Sequence, residues 1–418
     1  MGKESAVNFV VNNQVVLSRV PEGPIAAYIG SFLDSLNAMG YTAYSVHRFV
    51  LLAVCFSKWL KQRRVRLRSI TSDHAEQYLQ CRYLRLQRAR SDAAALGHLI
   101  DFLRREGAIP VEKIAVRRMT PVELCTQAYE KYLSEARALA KATIVNYVPF
   151  VGDFLNDCFG DGRLTLSRLC AGDVVRFVQR QVPRLQMKRA KLMTSALRSF
   201  LNYLRYSGDV TLDLAAAVPV VPNWSMTSIP RGIATDQVRQ LLASIDRHTA
   251  VGRRDYAILL ILARLGLRSG EVACLKLDDI DWNVGRLSVC GKTGQRSDLP
   301  LSAEVGEAIA AYLKHGRPQS TSRRVFLRAK APNDGFQGAS GVGSIVRHSI
   351  ERAGIDAPTM GAHQFRHGLA TEMLRQGASL GEIGQLLGHH HPQTTMIYTK
   401  VDIKALRTLA VPWPRGVR

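Results

Sequence analysis

The sequence predicts a multidomain, mainly helical protein, in which helical N-terminal domains precede a mixed α+β domain with a small antiparallel sheet. A length of 418 residues exceeds what one small core supports, so two or three domains are expected. Apolar residues recur at helical spacing throughout the first half of the chain. Beyond residue 233, helical segments flank one stretch in which apolar and polar residues alternate, which is typical of a small sheet.

Two segments of the first half resemble each other at an offset of about 101 positions. They end alike, as HLIDFLRREGAI and SFLNYLRYSGDV. We therefore predict two small helical domains, 1–115 and 120–215, of the SAM-like kind, although amphipathic helices of similar length can also align by chance. The matched pairs are Tyr28 and Tyr129, Thr42 and Thr143, Phe49 and Phe150, Phe102 and Tyr203, and Gly107 and Gly208.

The chain carries 57 Lys and Arg against 34 Asp and Glu, a net charge of +23. Such an excess favours a polyanionic partner, of which nucleic acid is the leading class. Hydrophobic residues make up 46% of the chain, so the charge belongs to folded surfaces rather than to a disordered tail. Its recurrence in both helical segments favours contact with backbone phosphates over a merely solvated face. The basic residues concerned are Lys61, Arg63, Arg64, Arg66, Arg68, Arg82, Arg85, Arg88 and Arg90, and then Arg176, Arg180, Lys188, Arg189 and Lys191.

Seven cysteines form no CxxC pair, which favours a reducing compartment and argues against a zinc framework. The start, Met1–Val10, lacks the pattern of a signal peptide. The most apolar stretch, Tyr256–Leu267, is too short to span a bilayer and is interrupted by Arg264. The expected protein is soluble and cytoplasmic.

A segment with three prolines, 216–232, is predicted to be an extended linker, and 233–418 the last domain with a C-terminal tail. In this domain one helix is expected from Thr235 to about Arg247. A second, RRDYAILLILARLG, ends at Gly266 as a helix C-terminus should.

Arg268 follows in the turn before another helix, which Ser269 is expected to cap. The segment 278–301 alternates with period two and predicts three antiparallel strands, with turns at 283–285 and 291–295. Lys292 lies in the second turn. Glu271, close to Arg268, either orients that arginine or is an ordinary surface glutamate.

The segment GAHQFRHGLATEML is predicted to be a helix, with His363 and Arg366 on one face because they are three positions apart. His367 is interpreted as a packing residue. A shorter helix follows, with Ser379 and Glu382 as a capping box.

That helix is expected to end at Gly388, which three consecutive histidines follow. Tyr398 lies near the end of a short helix that begins at a proline. His390 or His391 could share the work assigned to His389, whereas a metal site is not expected there because a second ligand cluster with zinc spacing is lacking.

These residue types suit attack on a phosphodiester. Arg268 and Arg366 would neutralise the charge that builds on the non-bridging oxygens. Lys292 would protonate the leaving 5′ oxygen, and His363 would assist proton transfer at the tyrosine oxygen. The sequence shows no carboxylate cluster able to hold a metal.

Tyr398 would be the nucleophile and would form a covalent phosphotyrosine that keeps the energy of the broken bond. His389 would hydrogen-bond the phosphate in the transition state. Neither ATP nor a metal is then needed, and no cofactor is expected.

The last domain strongly resembles the tyrosine recombinase, or phage integrase, family from about Ile233 onwards. The resemblance is carried by GLRSGEV, GKTGQRSDLPL, AHQFRHGLAT and LLGHHHPQTTMIYTKV, four motifs in order at family spacing. It implies site-specific cleavage and rejoining of DNA through a 3′-phosphotyrosine, in DNA integration or mobile-element recombination. The residues it assigns are Arg268, Lys292, His363, Arg366 and His389 for phosphate activation and Tyr398 for attack.

The resemblance also implies double-stranded DNA as partner and a homotetramer on two duplexes, with strand exchange through a four-way junction. The helical domain before the linker would clamp DNA, and the tail after Tyr398 would dock onto a neighbouring subunit. The N-terminal unit before about Ala115 exceeds the family's two-domain plan. Accessory DNA sites, an extended clamp and contact with other recombinases all remain open as its role.

Two alternatives remain at this point. A type IB topoisomerase uses a closely similar residue set, and a non-catalytic architectural DNA-binding protein could keep the fold. The duplicated helical front favours recombination over the first, and the complete residue set argues against the second. The target DNA, and the choice between integration, excision and resolution, do not follow from the sequence.

Overall fold

The computed structural model describes residues 9–11, 15–17, 20–84, 87, 89, 91–110, 119–160, 162–221, 230–291, 294–389 and 391–401. The chain divides into two compact units. One is discontinuous and comprises Met1–Val111 with Ile229–Arg418, and the other is the central unit Glu112–Ser228. The domain boundaries predicted from the sequence stay a prediction.

The N-terminal part of the discontinuous unit is a short hairpin followed by four helices around one core. Its elements are β1 Phe9–Val11, β2 Val15–Leu17, α1 Ile29–Ala38, α2 Ala43–Gln62, α3 Ser72–Tyr83 and α4 Asp92–Arg105. The first and last helices meet through Phe32 and Phe102, whose ring centroids are 5.6 Å apart. The expectation for this segment is all-helical, and the hairpin departs from it because β-branched valines on both strands favour extended backbone.

The central unit repeats this order of helices. Its elements are α5 Pro121–Glu135, α6 Lys141–Phe159, α7 Ala171–Gln181 and α8 Met187–Ser207. Tyr129 and Tyr203 pack 5.5 Å apart, at the positions matched to Tyr28 and Phe102. The last helix of each segment is followed by a left-handed glycine, Gly107 at φ 68° and Gly208 at φ 81°. The two segments therefore share one architecture, while their origin by duplication remains a prediction.

Among the described residues, the last part of the chain has seven principal α-helices around a three-stranded sheet, followed by one short α-helix and a 3-10 helix near its end. The elements are α9 Thr235–Ala243, α10 Ala250–Leu265, α11 Ser269–Cys274, β3 Ile280–Asp281, β4 Arg286–Cys290, β5 Arg296–Pro300, α12 Ala303–His315, α13 Ala339–Ala353, α14 His363–Arg375, α15 Leu380–Leu386, α16 Pro392–Thr395 and a 3-10 helix Met396–Val401. The strands pair antiparallel in the order β3-β4-β5, with Leu287 opposite both Ile280 and Leu299. This confirms the predicted fold class, mainly helical with a small antiparallel sheet.

Helix α10 is the centre of this domain. Its residues from Ala257 to Leu262 are each fully excluded from solvent, so the middle of the helix is buried on all sides, while Val251 and Arg264 nearer its ends are exposed. It ends at Gly266, whose left-handed φ of 60° confirms the predicted stop. A side chain there would strike Leu387 and Leu369, so the glycine also allows the later helices to approach closely.

The N-terminal part touches the last domain within the discontinuous unit. The backbone amide of Asn333 donates to the carbonyl of Met39 at 2.9 Å. Gly40 follows with φ 80°, and a Cβ atom there would lie 2.0 Å from the Asn333 side chain. The turn between α1 and α2 therefore packs directly against the loop that carries Asn333.

Two further expectations concern the linker and the membrane. Arg198 donates to the carbonyls of Val218 and Pro219, which ties the start of the predicted linker to α8. Residues 222–229 of the linker lie outside the described residues.

Within the described part of the chain, none of the helices is long and apolar enough to cross a membrane.

Candidate active site

Arg268 is fixed by the carboxylate of Glu271. This carboxylate accepts from the backbone amide of Arg268 at 2.8 Å and from its Nη1 at 2.6 Å. Arg268 is itself the N-cap of α11, so the expected cap by Ser269 is wrong. Glu271 at the third helical position accepts from the backbone amide of this N-cap residue, which is the carboxylate half of a capping box. Of the two roles left open for Glu271, the structure shows orientation of Arg268.

Arg366 is only 5% exposed and connects two helix ends. Its Nη1 donates to the carbonyl of Gly266 at 2.8 Å, and its other terminal nitrogen donates to the carbonyl of Leu387. These carbonyls lie at the C-terminal ends of α10 and α15, where a cation is favoured. Burial and the nearby Arg268 lower the pKa of Arg366 to about 10, which still leaves it charged near neutral pH.

Both arginines line a cleft between the sheet and the end of α15. Glu271 and Gly388 also line it, together with residues of β4 and β5. Lys292 lies outside the described residues, but Gly291 and Gln295, on either side of it in the chain, line the cleft as well. The cleft is therefore cationic and opens beside the turn that contains the predicted lysine.

His363 begins α14 and is exposed. Neighbouring protein atoms nevertheless displace part of its water, and this desolvation together with the charges of Arg366 and Arg268 lowers its pKa. A neutral imidazole next to two guanidinium groups can accept a proton or a hydrogen bond.

His389 is held by a buried threonine. Its Nδ1 lies 2.8 Å from the hydroxyl of Thr395, which is 3% exposed. Burial, followed by the charges of Arg366 and Arg268, lowers the pKa of His389 to about 4, so the ring is neutral at pH 7. Among its neighbours, His390 lies outside the described residues, and His391 is the exposed N-cap of α16.

Tyr398 is 1% exposed and belongs to a small core with Ala370, Ile383 and Leu387. Its hydroxyl lies 3.0 Å from Nδ1 of His367. Burial raises the pKa of Tyr398, and the charge of Arg366 opposes that rise in part.

The contact with Tyr398 was missed in the sequence, where His367 is interpreted as a packing residue. One signal in the sequence narrows the choice to two histidines. His363 and His367 are four positions apart, so a helix places them on the same face, and their ring centroids are in fact 6.3 Å apart.

Electrostatic coupling joins most of the predicted site residues. The charges of Arg268 and Arg366 act on both His363 and His389, and Tyr398 lies within reach of Arg366. The arrangement offers two guanidinium groups for a phosphate, neutral imidazoles for proton transfer and a tyrosine hydroxyl for attack. Clusters of three or more potential metal ligands are absent from the residues that the structure describes. The tail after residue 401 lies outside those residues.

Residues 231–404 match the model of the phage integrase family, and residues 126–208 match the phage integrase N-terminal SAM-like domain. A putative integrase/recombinase y4rA of Sinorhizobium fredii is 58% identical over 409 residues, which cover 98% of this chain and 99% of that protein. The match to y4rA thus includes the N-terminal helical segment. The tyrosine recombinase XerC of Anoxybacillus flavithermus is 29% identical over 297 residues, 69% of this chain and 97% of that protein.

Two solved structures show a similar fold. One is the XerH site-specific recombinase bound to palindromic difH substrate in a post-cleavage complex, with TM-score 0.55 and 19% identity over 75% of this chain and 94% of that one. The other is a lambda integrase (75–356) dimer bound to a COC′ core site, with TM-score 0.52 and 17% identity over 70% of this chain and 98% of that one.

Proposed function

The chain belongs to the phage integrase family of tyrosine recombinases, and we propose that Tyr398 is the nucleophile with which it cleaves DNA. Enzymes of this family carry out site-specific recombination, cutting and rejoining strands through a covalent phosphotyrosine. The comparisons support this activity and neither alternative weighed above. The observation that carries the proposal is that Tyr398 shares a small core with Leu387, whose carbonyl accepts from the buried Arg366. The full proposed set is Arg268, Lys292, His363, Arg366, His389 and Tyr398.

In the proposed step the Tyr398 oxygen attacks the phosphorus and the bond from phosphorus to the 5′ oxygen breaks. A 3′-phosphotyrosine and a free 5′ hydroxyl result, and rejoining is the reverse reaction. Arg268 and Arg366 stabilise the charge on the non-bridging oxygens, because both are held by protein acceptors before the substrate arrives. Each step exchanges one phosphate ester bond for another, so the cycle needs no energy from ATP.

The remaining residues of the proposed set would donate or accept protons and hydrogen bonds. We expect Lys292 to protonate the 5′ oxygen and His363 to assist at the tyrosine side. If the hydroxyl of Thr395 donates to Nδ1 of His389, the imidazole proton lies on Nε2. His389 would then donate a hydrogen bond from Nε2 to a phosphate oxygen.

Double-stranded DNA is the proposed partner, in a homotetramer whose C-terminal tails pass between subunits, with accessory recombinases as a further option. A lambda integrase tetramer bound to a Holliday junction, with TM-score 0.52 and 16% identity over 75% of this chain and 88% of that one, supports this assembly by analogy. With DNA as partner, we also propose a cytoplasmic site of action.

Among the predicted phosphate-contacting cations, some already form ion pairs with carboxylates and some do not. Arg82, Arg176 and Arg180 pair with Asp92, Asp173 and Asp157 respectively, which reduces the charge they offer to DNA. Lys188, Arg189 and Lys191, at the start of α8, are exposed, and none of the described carboxylates forms an ion pair with them. We therefore propose that the start of α8 contacts the DNA backbone, with an affinity that falls as salt rises.

Covalent trapping tests the nucleophile. Wild type, Tyr398→Phe and the control Tyr206→Phe, which alters an exposed tyrosine of α8, are incubated with nicked suicide substrates made from DNA flanking the gene. We expect a denaturant-resistant adduct, formed in the presence of chelator, with wild type and Tyr206→Phe but not with Tyr398→Phe. An adduct that persists in Tyr398→Phe would refute the assignment, and sequencing the trapped DNA would locate the target site.

A further inference from the structure

The hydroxyl of Tyr398 has a specific partner in the protein. Its oxygen lies 3.0 Å from Nδ1 of His367, and the two ring centroids are 5.8 Å apart. The residues come from different elements, α14 and the 3-10 helix Met396–Val401, so the contact is set by tertiary packing. The tyrosine is buried and the histidine half-buried, which keeps water from competing for the hydrogen bond.

We propose that His367 is a catalytic residue that takes the proton of Tyr398 as this tyrosine attacks DNA. The inference rests on the proposed function, in which Tyr398 is the nucleophile. As the bond from the tyrosine oxygen to phosphorus forms, the hydroxyl proton passes to Nδ1 of His367. The bond to the 5′ oxygen breaks, and that oxygen takes a proton from a separate acid, proposed above to be Lys292. On rejoining, His367 returns the proton to the tyrosine oxygen.

The surroundings of His367 keep it ready to accept. Burial and the neighbouring His363 and Arg366 lower its pKa, so the ring is neutral near pH 7 and Nδ1 can accept the hydroxyl hydrogen bond. The groups that face it are His363 and Arg366 from its own helix, Tyr398 from the 3-10 helix and His389 from the loop after α15. Arrival of an anionic phosphodiester offsets the arginine charge and favours a protonated His367 in the transition state.

Tyr398 needs such an acceptor. Burial disfavours the free phenolate and raises the pKa of the hydroxyl, so ionisation before attack is unfavourable. Transfer to a base already at hydrogen-bond distance avoids a free phenolate. His363, expected above to assist at the tyrosine side, lies one helical turn away and is exposed, whereas the atom at hydrogen-bond distance from the hydroxyl belongs to His367. The present inference therefore assigns the proton to His367 in place of His363.

The test compares three single variants of the full chain in single-turnover cleavage of a nicked suicide substrate. His367→Asn keeps an acceptor near the position of Nδ1 but cannot take up a proton, and His367→Ala removes both functions. His363→Asn, which alters the residue otherwise expected at the tyrosine side, is the comparison variant on the same helix face. We expect His367→Asn and His367→Ala to slow formation of the adduct by about 100-fold or more, with DNA affinity nearly unchanged. Cleavage by His367→Asn at the wild-type rate would overturn the inference.

A second measurement separates proton transfer from positioning. Tyr398 is replaced by a fluorinated tyrosine whose hydroxyl is far more acidic, in wild type and in the two Asn variants. The defect of His367→Asn should shrink at least about tenfold with the more acidic nucleophile, since a base matters less there. The defect of His363→Asn should not shrink. A His367→Asn defect that the fluorinated residue leaves unchanged would reduce His367 to a structural role and refute the proposal.

The contact is also observable without changing His367. In protein labelled with ¹⁵N-histidine, Tyr398→Phe should shift the Nδ1 resonance of His367, and Tyr206→Phe should not. An unmoved resonance would overturn the inference, even if both His367 variants failed to fold. If trapping shows that the adduct forms on another residue, the proposed function fails as well. If the adduct forms on Tyr398 while His367→Asn cleaves normally, only the present inference fails.

Discussion

The two sides of the proposed active site rest on cores of very different size. The arginines extend from elements packed around α10, whose middle is buried in the large core. Tyr398 extends from a 3-10 helix over a small core that it shares with Ala370, Ile383 and Leu387. Elements with few buried apolar contacts open at lower free energy than the global core. The side that carries the two arginines proposed to bind the phosphate is therefore the fixed half of the site, and the proposed nucleophile lies on the mobile half, which opens more easily.

The burial of Tyr398 gives this difference a functional meaning. At 1% exposure, its hydroxyl can meet a DNA phosphate only after the atoms that cover it have shifted. A small core makes such a shift inexpensive, whereas the buried arginine cannot leave without exposing two unpaired carbonyls. A nucleophile covered in this way is protected from reaction with incorrectly placed phosphates.

The largest expected effect comes from the fixed half. Arg366→Lys keeps the charge, but one ammonium group cannot replace a fork that already donates to the carbonyls of Gly266 and Leu387. We expect cleavage to fall by about 10²–10³-fold, together with a loss of stability. Arg268→Lys is the matched variant, and because its side chain is 34% exposed it should lose cleavage with little loss of stability. Single-turnover trapping measures the cleavage rate of each variant, and urea unfolding measures its stability. Equal loss of stability in the two variants would contradict the proposed difference between the two arginines.

Cavity-forming substitutions contrast the two cores directly. Ile258→Ala in α10 should lower the free energy of global unfolding by about 2–4 kcal/mol. Ile383→Ala in α15 should instead increase local opening around Tyr398, with a smaller global effect. Amide hydrogen exchange resolves this difference, because the faster exchange of Ile383→Ala should be confined to about residues 370–401. Faster exchange spread over α10 in that variant would show that the two cores are one cooperative unit.

Acid should first lower the stability of the mobile half, the part of the site that rests on the small core around Tyr398. The folded pKa of His389 is about 4 against 6.5 for the free side chain, so the unfolded chain binds more protons between these values. Stability is therefore complete above about pH 6.5 and falls as the pH is lowered towards 4. Because the ring is only half-buried, we expect the contribution of His389 to be about 1 kcal/mol. His363 and His367 shift in the same direction, so the test is the difference between wild type and His389→Asn in urea unfolding at pH 7 and pH 5. A pH dependence as steep in His389→Asn as in wild type would exclude this contribution.

The smallest expected effect concerns one hydroxyl group. Thr395→Val removes the partner of His389 Nδ1 while keeping the shape of a buried side chain. Losing one hydrogen bond should cost about 1 kcal/mol and slow cleavage by about fivefold. Thr394→Val, at the exposed neighbouring position, should leave the rate unchanged. Equal rates for the two variants would mean that Thr395 does not orient His389.

Most helix ends and turns of the fixed half could be predicted from the sequence, because each is determined by a few neighbouring residues. The stop at Gly266 and the turn at 283–285 each depend on a few adjacent residues, and the structure shows both. The cap of α11 failed for an equally local reason. The helix begins one residue earlier than the serine preference indicates, with Arg268 at the N-cap and its backbone amide bound by Glu271.

The contact between His367 and Tyr398 could not be predicted in the same way. Helical spacing places His363 and His367 on one face but does not decide which of them meets a residue on another element. That depends on how α15 and the 3-10 helix pack against α14, which is a property of the small core. The contact between Met39 and Asn333 has the same character, since neither residue carries a motif.

This last contact constrains the order of events during synthesis. A ribosome adds about 5–20 residues per second, so Asn333 follows Met39 by roughly 15–60 s. The N-terminal core draws its buried residues only from Val11 to Ile109, so all of its members have emerged well before the last domain exists. The nascent N-terminal segment can therefore fold first. The loop that carries Asn333 becomes available for docking only after the whole central unit has been translated.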